Sequence, residues 1–254
     1  MSRRDPAPSG HGGGALTIVG TGYRMAGQLT AEARAAIAGA DRLFYLVTDA
    51  ATGAFLAALN PRARSLHTCY REGEPGRRAA GRMVARLLAA LRRGHEVCAA
   101  FAGHPAVYLA PAHAALRRAR RAGFPATMLP GVSCEDCLYA DLGIDPGATG
   151  RVLFEATDFL LRRRRPDPAT LLVLLQAGAV GVVPYRSGTG ADRRGLALLA
   201  QRLREHYPAG HAVLLYEAGT LPPFEARVAR VALADLEAAP VSVVTTLVLP
   251  PLAA

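Results

Sequence analysis

Three glycine-bearing segments stand where apolar runs of the sequence end. Gly20-Thr21-Gly22 follows LTIVG, Gly103-His104-Pro105 follows the run ending at Phe101, and Pro130-Gly131-Val132-Ser133 follows Ala126–Leu129. Glycine lets a backbone approach a ligand closely. In open α/β sheets ligands collect at the carboxyl ends of strands, so three such ends predict one small-molecule crevice. The first segment is not a dinucleotide fingerprint. Met25 stands where a glycine is needed, and only Asp49 is a loose candidate for the acidic residue after the second strand. NAD is therefore not expected. A bare Gly-x-Gly also serves as a tight strand–helix turn with no ligand. His104 alone fits a structural loop histidine as well as a site. Ser133 can cap a helix whose first turn carries Glu135 and Asp136. Cys134 and Cys137 lie three apart on that helix, with no further ligands spaced for zinc, so no metal is expected.

The elements that position these turns follow from apolar spacing. Strands are predicted at Leu16–Gly20, Leu43–Val47, Arg64–His67, Glu96–Phe101 and Ala126–Leu129. Helices are predicted at Ala31–Ala38, capped by Thr30 and closed by Gly39, and at Gly53–Leu59, Arg78–Arg92 and Ala110–Ala122. The alternation predicts an α/β fold, a parallel sheet with helices on both faces. The second half differs, with strands at Val152–Glu155, Leu171–Gln176, Ala212–Tyr216, Arg227–Ala232 and Val241–Leu249 and one clear helix at Arg193–His206. A second α/β domain with a mixed sheet is expected. The predicted organisation is a disordered tail over 1–14, an N-terminal lobe over 15–128 and a C-terminal lobe over 129–254.

Of the 254 residues, 51% are hydrophobic, enough for a core. The longest apolar stretch, Leu171–Val183, is too short to span a bilayer. The N-terminus lacks the apolar core of a signal peptide. Four cysteines at 69, 98, 134 and 137 form no disulfide framework, and a cytoplasmic location is expected. The net charge of +10 comes from arginine alone, without one lysine, in an Ala- and Gly-rich chain. That pattern reflects GC-rich coding, and no aromatic residues interleave with Arg117–Arg121 or Arg162–Arg165. Nucleic-acid binding is therefore not expected.

Taken in order, LTIVGTG (16–22), FAGHPAVY (101–108), MLPGVSCEDCLYADLGIDP (128–146), FEATDFLL (154–161), LLQAG (174–178), LYEAG (215–219) and TLVLPP (246–251) resemble the tetrapyrrole-methylase superfamily. In that superfamily two α/β lobes sandwich S-adenosylmethionine (AdoMet). Within it the chain is most similar to borosin-type peptide backbone α-N-methyltransferases. The resemblance implies cofactor contacts from Gly20, Gly22, Gly103, His104, Val107, Ser133, Cys134, Gln176, the backbone of Tyr216, Glu217 and Ala218, and Thr246.

The resemblance also implies methyl transfer to a backbone amide nitrogen, a poor nucleophile that must lose its proton or react as the imidate. A phenol beside a guanidinium suits both tasks, because the cation favours the phenolate and stabilises an amide oxyanion. The family's loop supplies Tyr, Arg and a second Tyr. Tyr70 and Arg77 match the first two, the second falls at Gly81, an upstream tyrosine position holds His67, and the tyrosine before the GHP glycine is Ala102. The implied catalytic set is Tyr70, Arg77 and His67. With the sequence ending just after the last predicted strand, a precursor peptide of ribosomal origin is expected in trans, acted on by a homodimer. Two other readings stay open: a precorrin-type tetrapyrrole methyltransferase, and an AdoMet-binding homologue without turnover.

Overall fold

The computed structural model describes residues 13–181, 192–221 and 224–252. Of the expected N-terminal tail, residues 1–12 lie outside the described residues. Gly14 is buried, and a Cβ there would overlap the main chain of His95. Pro222-Pro223 also lie outside. The chain divides into two compact units, one of residues 1–69 and 77–132, the other of 70–76 and 133–254. Leu129–Val132 thus belongs to the first unit and the loop Tyr70–Gly76 to the second.

In the first unit, strands β1 (Leu16–Gly20), β2 (Arg42–Leu46), β3 (Ala63–Ser65), β4 (Val97–Phe101) and β5 (Ala126–Met128) form a sheet in the order β3-β2-β4-β1-β5. Every pairing is parallel. β1 and β4 occupy the interior of this order, and β4 is buried along its whole length. That burial explains continuous apolar runs in place of alternation. Helices α1 (Ala31–Gly39), α2 (Ala50–Leu59), α3 (Gly76–Leu91) and α4 (Ala110–Arg121) connect the strands.

Local chemistry sets the helix ends. Thr30 accepts from the Ala33 amide at 3.1 Å and caps α1 as expected. Gly39, expected to close that helix, is its last residue, and the cap is Ala40 in an extended conformation. α2 begins at Ala50, three residues earlier than predicted, because Asp49 accepts from the Thr52 amide at 2.7 Å and its hydroxyl at 2.8 Å. Asp49, the loose candidate for an acidic residue after the second strand, is thus an N-cap.

The second unit contains α5 (Cys134–Leu142), α6 (Pro146–Thr149), α7 (Ala156–Leu161) and α8 (Arg193–Arg204). Its strands are β6 (Arg151–Glu155), β7 (Leu171–Leu175), β8 (Ala212–Glu217), β9 (Arg227–Ala232) and β10 (Thr246–Leu249), in the order β6-β7-β10-β8-β9. β6 and β7 run parallel and the remaining pairs antiparallel, giving the expected mixed sheet. Its core joins Phe159, Leu172, Leu174, Leu199, Leu215 and Leu247 among other buried residues. The strand expected over Val241–Leu249 forms only at Thr246–Leu249. Upstream, the Ser242 amide donates to Thr245 Oγ1 at 2.8 Å and the Thr245 amide to Ser242 O at 3.1 Å. That local turn takes the hydrogen bonds a ladder would need.

Candidate functional site

In the first unit the strand ends meet through their glycines. β1 and β4 are in register so that Gly20 faces Phe101. Just beyond, the Gly103 amide donates to Gly22 O at 2.9 Å, an antiparallel bridge between two residues with φ near +70°. A Cβ on Gly20 would overlap the Gly103 carbonyl and stand 2.9 Å from Pro105 Cδ and 3.0 Å from Gly131 Cα. A Cβ on Gly103 would stand 2.6 Å from the Tyr23 ring. All three segments therefore converge, and Gly20 and Gly131 serve backbone–backbone packing. Thr21 ties the turn down, its amide and hydroxyl both donating to Phe101 O, at 2.8 and 3.2 Å.

The GHP turn that follows is shaped by His104. Its Nδ1 accepts from the Ala106 amide at 3.0 Å, and the Val107 amide donates to its carbonyl at 3.0 Å. As assigned, this leaves Nε2 to carry the ring proton of the neutral imidazole. Tyr23, directly after Gly-Thr-Gly, is a residue that sequence reasoning missed. Its signal in the sequence is its place directly after Gly20-Thr21-Gly22.

His67 lies at the carboxyl end of β3, in a 3-10 turn over His67–Cys69. Its Nε2 stands 2.7 Å from Val47 O, so Nε2–H donates there. Beside it a cleft of about 420 Å³ is lined by Tyr45, Asp49, Gly53, Ala57, Ser65 and His67. α3 holds the 3-10 turn from the other side. Arg82 Nε donates to Cys69 O at 2.7 Å, and Arg86 Nη1 to Thr68 Oγ1 at 2.6 Å. These two arginines, at helical i and i+4, were not singled out in the sequence. Arg77 is exposed in the first turn of α3, and Gly81 stands one turn on, with open space around it. Tyr70 is half-buried and belongs to the second unit.

In the second unit the implied positions gather at one end of the sheet. β10 runs antiparallel between β7 and β8, so its first residue lies beside their carboxyl ends. Thr246 faces Tyr216, and the Ala177 amide donates to Thr245 O at 2.9 Å. Gln176 is exposed and left-handed, φ +58°, which turns its side chain out of the strand's alternation. Ser133 caps α5 in a capping box: its hydroxyl donates to Asp136 Oδ2 at 2.9 Å, and the Asp136 amide donates back at 3.1 Å. Tyr216 is buried and donates to Asp141 Oδ2 at 2.7 Å. The side chains of Ser133 and Tyr216 are therefore engaged within the unit.

Glu217 is engaged too. Arg227 pairs with its carboxylate, Ser242 Oγ donates at 2.7 Å, and Thr245 Oγ1 makes a further short bond. Burial alone would raise its pKa, but these hydrogen bonds and the Arg227 charge prevail and bring it from 4.5 down to about 2. A carboxyl depressed on folding stabilises the fold fully above its unfolded pKa of 4.5, and the contribution disappears as pH falls through about 2. In thermal melts between those pH values, wild type is expected to lose about 5 °C more than Glu217→Gln. Parallel curves would remove this network from the acid response.

Among the described residues, no helix is long and apolar enough to cross a membrane. Comparison with known proteins bears on what this arrangement serves. Residues 15–237 match the family described as Tetrapyrrole (Corrin/Porphyrin) Methylases. The chain is 40% identical over 235 residues to a methyltransferase/type III borosin cyclic peptide precursor of Anomoporia bombycina, covering 92% of this chain and 27% of that protein. It is 41% identical over 209 residues to the methyltransferase/omphalotin A precursor of Omphalotus olearius, covering 82% and 50%. The chain thus spans at most about half the length of these two relatives. Among solved structures, uroporphyrin-III C-methyltransferase of Thermus thermophilus aligns with a TM-score of 0.66 at 22% identity, over 93% of this chain and 92% of that one. The same enzyme complexed with S-adenosyl homocysteine aligns with a TM-score of 0.63 at 19% identity, over the same shares.

Proposed function

Because the chain belongs to the tetrapyrrole (corrin/porphyrin) methylase family, we propose that it is an AdoMet-dependent methyltransferase acting on backbone amides of a peptide. The observation that carries this reading is the identity of about 40%, over most of the chain, to methyltransferases named together with cyclic peptide precursors. The residues fit the cofactor. Gly22 and Gly103 give a close backbone approach. Gln176, Thr246 and the Tyr216–Ala218 backbone offer neutral hydrogen-bonding groups at one sheet end. Gly20, His104, Val107, Ser133 and Cys134 complete the assigned set. When bound, AdoMet supplies an electrophilic methyl group.

This chain's own residues would handle the amide. Tyr70 takes its proton onto the phenolic oxygen. Arg77 favours the phenolate and holds the amide oxygen as charge develops. His67 is the second proton acceptor. The peptide is assigned to a separate chain. To test both points, the protein is incubated with AdoMet and a candidate precursor peptide, separate or fused to its C-terminus, and read by tandem mass spectrometry. Methylated backbone nitrogens on the separate peptide are expected. Methylation of the fused peptide alone overturns supply in trans, and none in either overturns peptide methylation. One observation favours a second reading, a cofactor-binding homologue without turnover: open space at Gly81, where the family carries a tyrosine. Cofactor binding without methyl transfer would support it. Light scattering on the same sample reads the expected homodimer.

A further inference from the structure

The proposed function gives no role to the thiols of the Cys-x-x-Cys pair at the start of α5. Cys134 is the first residue of this nine-residue helix and half-buried, while Cys137, one turn on, is buried. We propose that Cys134 and Cys137 form a redox modification site, a dithiol that closes to a disulfide on reaction with a small disulfide of the glutathione class.

Several observations support this. Residues three apart on a helix place their Cβ atoms about 5–6 Å apart, whereas a disulfide needs about 3.8 Å, so the first turn must tighten. The backbone bond closing that turn, from the Cys137 amide to Ser133 O, is already long at 3.3 Å. A helix N-terminus favours a thiolate. The two acids between the cysteines do little to oppose one. Glu135 is paired with Arg151 and hydrogen-bonded to Tyr139, and Asp136 accepts from the Ser133 amide and hydroxyl. The other two cysteines contrast. Cys69 and Cys98 are both buried, and burial pushes the Cys98 thiol up to about 12.

The exchange balances. The Cys134 thiolate attacks one sulfur of the reagent, expelling a thiolate and forming a mixed disulfide. Cys137 gives up its proton and attacks the Cys134 sulfur, expelling the second thiolate. Two protein thiols are oxidised, and one reagent disulfide is reduced to two thiols.

Closure reaches the proposed cofactor positions. Cys134, Cys137 and Asp141 lie at i, i+3 and i+7, one stripe of α5. Tyr216 donates to Asp141 Oδ2 at 2.7 Å, and burial and that carboxylate push its phenol pKa up. The stripe thus abuts Tyr216, which pairs with Thr246. This effect on the cofactor rests on the function proposed above; the disulfide does not.

The test equilibrates the full chain with oxidised and reduced glutathione, alkylates it and maps its peptides. The expected result is a peptide holding both cysteines, unalkylated and lighter by two hydrogens. Cys137→Ala should trap glutathione on Cys134. Free Cys134 and Cys137 under excess oxidised glutathione would overturn the proposal. Calorimetry with S-adenosylhomocysteine then separates the two claims. About tenfold weaker binding by the oxidised form is expected, and equal binding overturns the coupling. If the reduced protein does not bind S-adenosylhomocysteine, the cofactor assignment fails, while the disulfide result stands on the mass alone.

Discussion

Tyr70→Phe is expected to lower peptide methylation by about 10³-fold, a size typical of a lost general base, while S-adenosylhomocysteine binding stays within about twofold of wild type. The substitution deletes one oxygen and keeps the ring, so packing of the half-buried side chain is preserved. Single-turnover methylation read by mass spectrometry measures the first quantity and calorimetry the second. Unchanged turnover would remove Tyr70 from the chemistry and leave His67 as the proton acceptor to examine. A parallel loss of binding would place Tyr70 in the cofactor pocket instead.

The second large effect concerns a residue with no chemistry of its own. Gly20→Ala is expected to destabilise the protein by about 3 kcal/mol, at the upper end of overpacking effects, lowering Tm by about 10 °C. A Cβ there meets the Gly103 carbonyl, Pro105 and the Gly131 backbone at once, and none of these is the free end of a flexible side chain. Differential scanning calorimetry without ligand reads this directly. A melt within about 2 °C of wild type would show that the three strand ends can separate without cost.

This prediction marks where the sequence was legible and where it was not. The turns at 20–22 and 103–105 stand out in the bare sequence because glycine and proline have few substitutes there. Strand β1 and strand β9 fall where the apolar pattern puts them, Leu16–Gly20 and Arg227–Ala232. What the glycines face was not legible. Gly20 against Gly131 is a contact between residues more than a hundred positions apart, and local spacing carries no trace of it. Short side-chain caps were legible at Thr30 and Ser133 but not at Asp49, although Thr52, three residues on, already offered it a partner. Ser242 and Thr245 likewise end a strand that β-branched composition had extended to Val241. In the second unit the Ser133 cap was legible, but the engaged state of Tyr216 and Glu217 was not, because their partners Asp141 and Arg227 come from other elements of helix and strand. The 3-10 turn Leu233–Ala238 and the short helix α7 have too few residues to show a period.

The place of β10 in the second sheet bears on how the protein is made. β6 and β7 form one parallel pair and β8 and β9 one hairpin, and β10 is the strand that joins them. Thr246–Leu249 is the last strand in chain order, yet it sits in the middle of the sheet, buried along its length. During synthesis the first unit has all of its strands long before this segment leaves the ribosome. The second holds two half-sheets with the facing edges of β7 and β8 unpaired, the state in which strands pair with other chains. Completion of this sheet therefore waits on a late, four-residue insertion that hides both edges.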